Sequence, residues 1–200
     1  VRLIYNTNFS KTKFKDIDVF ELWNKFDSVS VGASLDAEGP RAELMRKGTK
    51  WEETIANRKR MLEVCPQVDF YISSTVGLTN SLHVCDFHKS WVEQGLIKPK
   101  DFNFNLLQHP IWQRMDILPP EHKQRVKERY EEHFVWLKNQ DPLTRATKGF
   151  ESALDWMFKT DNQKHLDLFF ENTKRYDEIR NENTLDVFPE WKELFDKYDK

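Results

Sequence analysis

The chain has 200 residues, 38% of them hydrophobic and 14% aromatic, enough to bury a core and too apolar for a disordered segment. Its 31 Lys and Arg offset 33 Asp and Glu to a net charge of -2, which excludes the broad basic field that draws a protein to nucleic acid. Two cysteines cannot build a disulfide framework, and no run of about 18 apolar residues is present, so the expectation is a cytoplasmic protein with no membrane partner.

In chain order, strand and helix patterns alternate through the first 140 residues, which predicts a parallel sheet with crossover helices. "VRLIYNTN" reads as a strand, and "DIDVFELWNKF" as a helix with Val19, Leu22, Trp23 and Phe26 on one face. "DSVSVGASLD" is a second strand. "WEETIANRKRMLEVC" is a helix with Trp51, Ile55, Arg58, Leu62 and Cys65 on one stripe, and Thr49 with Glu52 has the spacing of a capping box. "VDFYISSTV" is a third strand, followed by a helix that turns Val84, Phe87 and Trp91 inward and stops at Gly95. "FNFNLLQ" alternates Phe102, Phe104 and Leu106 with Asn103 and Asn105 as a fourth strand. A turn at Pro119 and Pro120 leads to the helix "EHKQRVKERYEEHFVWLK".

Beyond residue 140 the strand patterns stop. "RATKGFESALDWMFK" places Ala146, Phe150, Leu154 and Met157 on one helical face, and "HLDLFFENTKRYDEIRN" does the same with Leu166, Phe169, Thr173 and Tyr176. The division expected is residues 1–140 as the α/β part and 141–200 as a helical C-terminal extension packed on it.

The strand ends carry the functional reading. In the second strand Val29, Val31, Ala33 and Leu35 share one face, and Ser30, Gly32, Ser34 and Asp36 share the other. A parallel strand buried on both sides is apolar on both, so a face of small and polar groups points to a ligand-lined cavity. Polar residues gather at successive carboxyl ends: Asn8, then Ser34 and Asp36, then Thr75 and Asn80. In α/β architectures that edge binds ligands. Arg46, in the loop after Ser34, could take a carboxylate with its planar fork while the Ser34 hydroxyl adds a hydrogen bond. Each of these residues could equally cap a turn or face solvent.

These same stretches resemble a known family. "SVGASLDAEGPRAELMRKGTKWEETIANRKRM" and "DFYISSTVGLTNSLHVCDFHKSWVEQGLI" are similar to the second half of a radical S-adenosylmethionine enzyme barrel, with "NTN" in place of that family's common Thr-Asn-Gly strand ending and Ser34-Leu35-Asp36 resembling its next strand end, where Ala37 replaces the usual Gly. "HPIWQRMDILPPEHK" and "FFENTKRYDEIRNENTLDVFPEW" resemble the closing segments of its twitch-domain-containing subgroup. The resemblance implies a partial (β/α) TIM-like barrel of about four mostly parallel strands with a helical extension. It implies a parent enzyme that opens S-adenosylmethionine against a [4Fe-4S] cluster to give a 5'-deoxyadenosyl radical, acting by analogy on a peptide or other macromolecule. Carried onto this chain, Ser34 and Arg46 meet the methionine carboxylate, Asp36 and Asn8 lie near the ribose, and Thr75 and Asn80 line the pocket.

The family's CxxxCxxC cluster loop and its Gly-Gly-Glu stretch are missing, and Cys65 and Cys85 are 20 positions apart. The expectation is therefore the C-terminal half of such an enzyme, not catalytic on its own, with the cluster only in the full-length parent. A missing N-terminal half or complementing subunit, or self-association, would cover its open sheet edge. The alternative is a non-catalytic binding or scaffold protein derived from a half-barrel. "HVCDFH" does not space its histidines as metal ligands on one helical face, and His88 is expected to pack near Val84 and Trp91. Trp112 and Arg114 follow the fourth strand and could touch a substrate.

Overall fold

A computed structural model of the chain describes residues 1–141 and 145–199. Its centre is a four-stranded parallel sheet of β1 (Arg2–Thr7), β4 (Ser28–Ala33), β5 (Asp69–Val76) and β6 (Phe102–Leu106), side by side in that order. Between β1 and β4 lie the antiparallel pair β2 (Lys13–Phe14) and β3 (Ile17–Asp18) and the one-turn helix α1 (Val19–Trp23). The helices α2 (Gly39–Met45) and α3 (Trp51–Val64) join β4 to β5, and α4 (Val84–Glu93) joins β5 to β6. After β6 come α5 (Pro120–Leu137), α6 (Arg145–Lys159), α7 (Leu166–Arg180), α8 (Thr184–Val187) and α9 (Lys192–Tyr198).

Each new strand is added on the same side of the previous one, with no reversal. Crossovers of one hand that always advance in one direction leave every connector on the same face of the sheet; a doubly wound sheet reverses and covers both. The side chains show this arrangement. Trp23 of α1 meets Tyr5, Arg58 of α3 lies 4.0 Å over the Phe70 ring, and Phe87 of α4 packs edge-on against Phe102. Tyr130 of α5 and Phe150 of α6 both meet Phe104. All these strand residues alternate onto one face. On β5 that face is Phe70, Ile72, Ser74 and Val76, all buried.

The opposite face carries Ile4, Asn6, Ser30, Gly32, Asp69, Tyr71, Ser73, Asn103 and Asn105, set in rows by the register Ser30 to Asp69, Gly32 to Tyr71 and Ser73 to Asn103. Its side chains bond one another: Ser30 donates to Asp69 at 3.0 Å, and Asn105 donates to Ser73 Oγ at 2.9 Å. Tyr71 lies across the backbone of Gly32, where a Cβ would come within 2.9 Å of the phenol oxygen and 2.7 Å of Asn6 Oδ1. Ile4 is 63% exposed, and Asn6, Asn103 and Asn105 are exposed as well.

Several expectations need correction. The segment read as a helix over residues 16–26 holds the second strand of a hairpin and five helical residues; Phe20 and Trp23 are the buried positions of the helix, whereas Leu22 and Phe26 are exposed. Asp18 explains the late start, because its carboxylate accepts from the Phe20 N–H at 3.0 Å and so caps α1. The buried positions of α3 are Thr54, Arg58 and Met61, and Leu62 is exposed. Thr49 forms no capping box there. Glu43, at the end of the unforeseen α2, takes the Trp51 N–H at 2.8 Å instead. The later helices match their patterns more closely, with Ala146, Phe150 and Met157 of α6 and Leu166, Phe169 and Thr173 of α7 buried.

The C-terminal helices are tied to the sheet region by specific bonds. Trp191 donates its indole N–H to the Thr79 carbonyl at 2.8 Å, and Arg41 reaches the Val187 carbonyl at 3.0 Å and the Glu190 carboxylate at 3.1 Å. Among the described residues, no helix is long and apolar enough to cross a membrane.

Candidate functional site

At the carboxyl ends of β4 and β5 the chain builds a buried polar knot around Asp36 and Asn80. Leaving β4, Asp36 turns inward and accepts the Thr75 N–H at 2.8 Å on one oxygen and Arg46 Nε at 2.6 Å on the other. Asn80 donates to the carbonyls of Asp36 at 2.7 Å and Thr75 at 3.1 Å and accepts the Gly77 N–H at 3.0 Å. Three partners engage both donors and one lone pair of the Asn80 amide, which locks the two strand ends together.

Beside this knot is a cleft of about 310 Å³. Asp36, Thr75 and Asn80 form its floor; loop residue Trp112 and α7 residues Tyr176 and Arg180 are among its walls. Asn8, Ser34 and Arg46 do not line it. The Asn8 carboxamide oxygen instead accepts from the Ser10 N–H at 3.2 Å and hydroxyl at 2.9 Å, a local turn bond. Ser34 extends the ladder, its N–H donating to the Thr7 carbonyl at 2.8 Å, and its hydroxyl has no hydrogen-bond partner among the described residues. Arg46 caps the end of α2 and uses only Nε on Asp36, leaving both terminal nitrogens free among the described residues.

The loop wall stands because Gly77 lacks a side chain. A Cβ there would fall 2.5 Å from the Gln113 carbonyl, the acceptor of the Leu78 N–H at 2.7 Å. Trp112 thereby sits 6.0 Å from Tyr176, centroid to centroid. Arg114, by contrast, turns away from the cleft onto the buried Asp116 carboxylate at 2.7 Å, so the substrate contact considered for it is replaced by a structural ion pair. Tyr176 and Arg180 were beyond sequence reasoning: Tyr176 reads as the end of a core stripe, yet it is 39% exposed along the cleft.

Other titratable groups serve packing. His88 is buried on the same helix as Val84 and Trp91 and stacks on Phe102 at 4.4 Å. Its Nε2 is 2.9 Å from the Pro99 carbonyl, which can only accept, so Nε2 carries the proton and the bare Nδ1 accepts from His133 Nε2 at 3.0 Å. Burial pushes the pKa of His88 down to about 4 and that of His133 to about 3, keeping the pair neutral. Cys65 and Cys85 are both buried, and burial raises both thiols. Among the described residues no group of three or more His, Cys, Asp or Glu could hold a metal ion, so these side chains do not fit an iron–sulfur cluster. A second depression, of about 420 Å³, is lined by Arg41, Arg125 and Arg129, but Arg41 pairs with Glu190, Arg129 with Asp86, and Arg125 donates to the Glu190 carbonyl. Compared with family models, with curated proteins and with solved structures, the chain matches none, and the site stands on its own geometry.

Proposed function

We infer that the chain is the C-terminal half of a radical S-adenosylmethionine enzyme barrel and forms part of the cofactor and substrate pocket. The observation that carries this reading is the parallel sheet with one bare polar face. Parallel sheets are normally covered on both sides, and a sheet with all its helices outside and serine, asparagine and tyrosine inside is what a segment of a (β/α) barrel presents to its lumen. The remaining strands, on a longer polypeptide or a separate subunit, would close that face and pair with the edge of β1.

The residues at the strand tips fit S-adenosylmethionine in part. Arg46 keeps two free guanidinium nitrogens and Ser34 a free hydroxyl for the methionine carboxylate, and Asp36 retains lone pairs for ribose hydroxyls beyond its two accepted bonds. Thr75 stands beside them, and Asn80 positions both strand ends. Asn8 could offer only its amide N–H group, its oxygen being engaged. S-adenosylmethionine would supply the 5'-deoxyadenosyl group; the cluster thiolates would come from outside the described residues.

Calorimetric titration tests this reading. S-adenosylmethionine is expected to bind saturably and to lose at least about tenfold in affinity in Arg46→Ala. Equal affinities remove Arg46 from the site, and no saturable binding to folded protein overturns the reading.

A further inference from the structure

We propose that the cleft under α7 is a binding subsite for a monoanionic, carboxylate-bearing ligand with a flat apolar body, about the size of one aromatic amino acid. Both carboxylates lining the cleft have both oxygens occupied. Asp36 accepts from Thr75 and Arg46, and Asp177 accepts from the Thr184 N–H at 2.8 Å and hydroxyl at 2.7 Å. The donors are not occupied. Arg180 has no carboxylate within 4.0 Å among the described residues; its one bond is a long 3.5 Å contact to the Leu44 carbonyl, and its guanidinium lies 4.8 Å over the Tyr176 ring. The Tyr176 and Thr75 hydroxyls have no hydrogen-bond partner among the described residues. A cavity whose carboxylates are already engaged and whose guanidinium and hydroxyl donors are free is complementary to a ligand that brings acceptors.

Charge and shape narrow the class. Arg46 offsets Asp36, and Asp177 lines the same cleft as Arg180, so a single negative charge is favoured over a phosphate dianion. The guanidinium fork suits a carboxylate. Trp112 and Tyr176, with Leu44, Met45 and Leu107, supply flat and apolar wall for the body of the ligand. The volume of about 310 Å³ is too small for a folded partner.

This subsite stands on the cleft alone and does not require S-adenosylmethionine. If the proposed function also holds, it is where the substrate's carboxylate rests. The test titrates N-acetyl-phenylalanine and its neutral amide into the protein without S-adenosylmethionine, reading the indole N–H resonance of Trp112, assigned with Trp112→Phe. The acid is expected to bind at least about tenfold more tightly than the amide. That ratio should collapse toward one in Arg180→Gln and survive in Arg175→Gln, an exposed control on the same helix. Amide binding as tight as the acid, a ratio that survives Arg180→Gln, or no perturbation of Trp112 by either compound overturns the subsite. Each result leaves the Arg46 titration to be decided separately.

Discussion

Neighbouring residues of β5 live in two different solvents. Ile72 faces the helices and is fully buried, whereas Ser73, one residue on, faces the bare side and bonds only to Asn105. The same contrast runs across the sheet, with Phe102, Phe104 and Val31 on one side and Asn103, Asn105 and Gly32 on the other. Stability is therefore concentrated on the helical face, and among the described residues no helix covers the polar face. The direction of strand addition produces this asymmetry, since four strands laid down without reversal direct every connector to one side.

Acid should break the contrast most strongly, because the buried histidines belong to the packed side. His88, His133 and His83 are held neutral by burial, with pKa values near 4, 3 and 3, against about 6.5 in the unfolded chain. Below pH 6.5 the unfolded chain takes up protons that the folded chain refuses. Their contribution is therefore fully present above that pH and is lost as pH falls, by up to about 4 kcal/mol per pH unit if all three act. Urea denaturation at a series of pH values from 7 to 4.5 measures the slope; a flat profile would mean that these rings open to water.

A substitution sharpens the contrast further. Ile72→Ala should cost about 2–5 kcal/mol in the same denaturation, as a fully buried side chain leaving a cavity. Ser73→Ala, its neighbour on the bare face, should stay within about 0.5 kcal/mol. If Ser73→Ala were as damaging as Ile72→Ala, the face would already be covered in this protein, by a second copy or another chain, and sedimentation velocity would show the assembly.

The candidate site divides along a similar line. Asp36 and Thr75 could be placed from the strand pattern because period-two alternation and the position of a strand end are local properties. Asn80 could be placed near them, but its role could not: whether a carboxamide touches a ligand or staples two backbones depends on which carbonyls lie within reach. Arg46 was readable as a cation near the strand tip, and only the fold turns it onto Asp36 and away from the cleft.

By itself the amino-acid sequence determined the alternation of strands and helices, the polar tips at successive strand ends, and the two unlike faces of each strand, because these follow from residue spacing along a locally extended or helical backbone. It misjudged the connection after β1, where the cap at Asp18 outweighs an apolar helical rhythm. Only the tertiary structure decided that all the crossovers fall on one face and that a helix more than 90 residues after Thr75 brings Tyr176 and Arg180 over the strand tips. It also decided which donors remain unspent. The physical reason is that hydrogen-bond satisfaction and coverage belong to pairs of groups distant in the chain, and no local pattern records which of them meet.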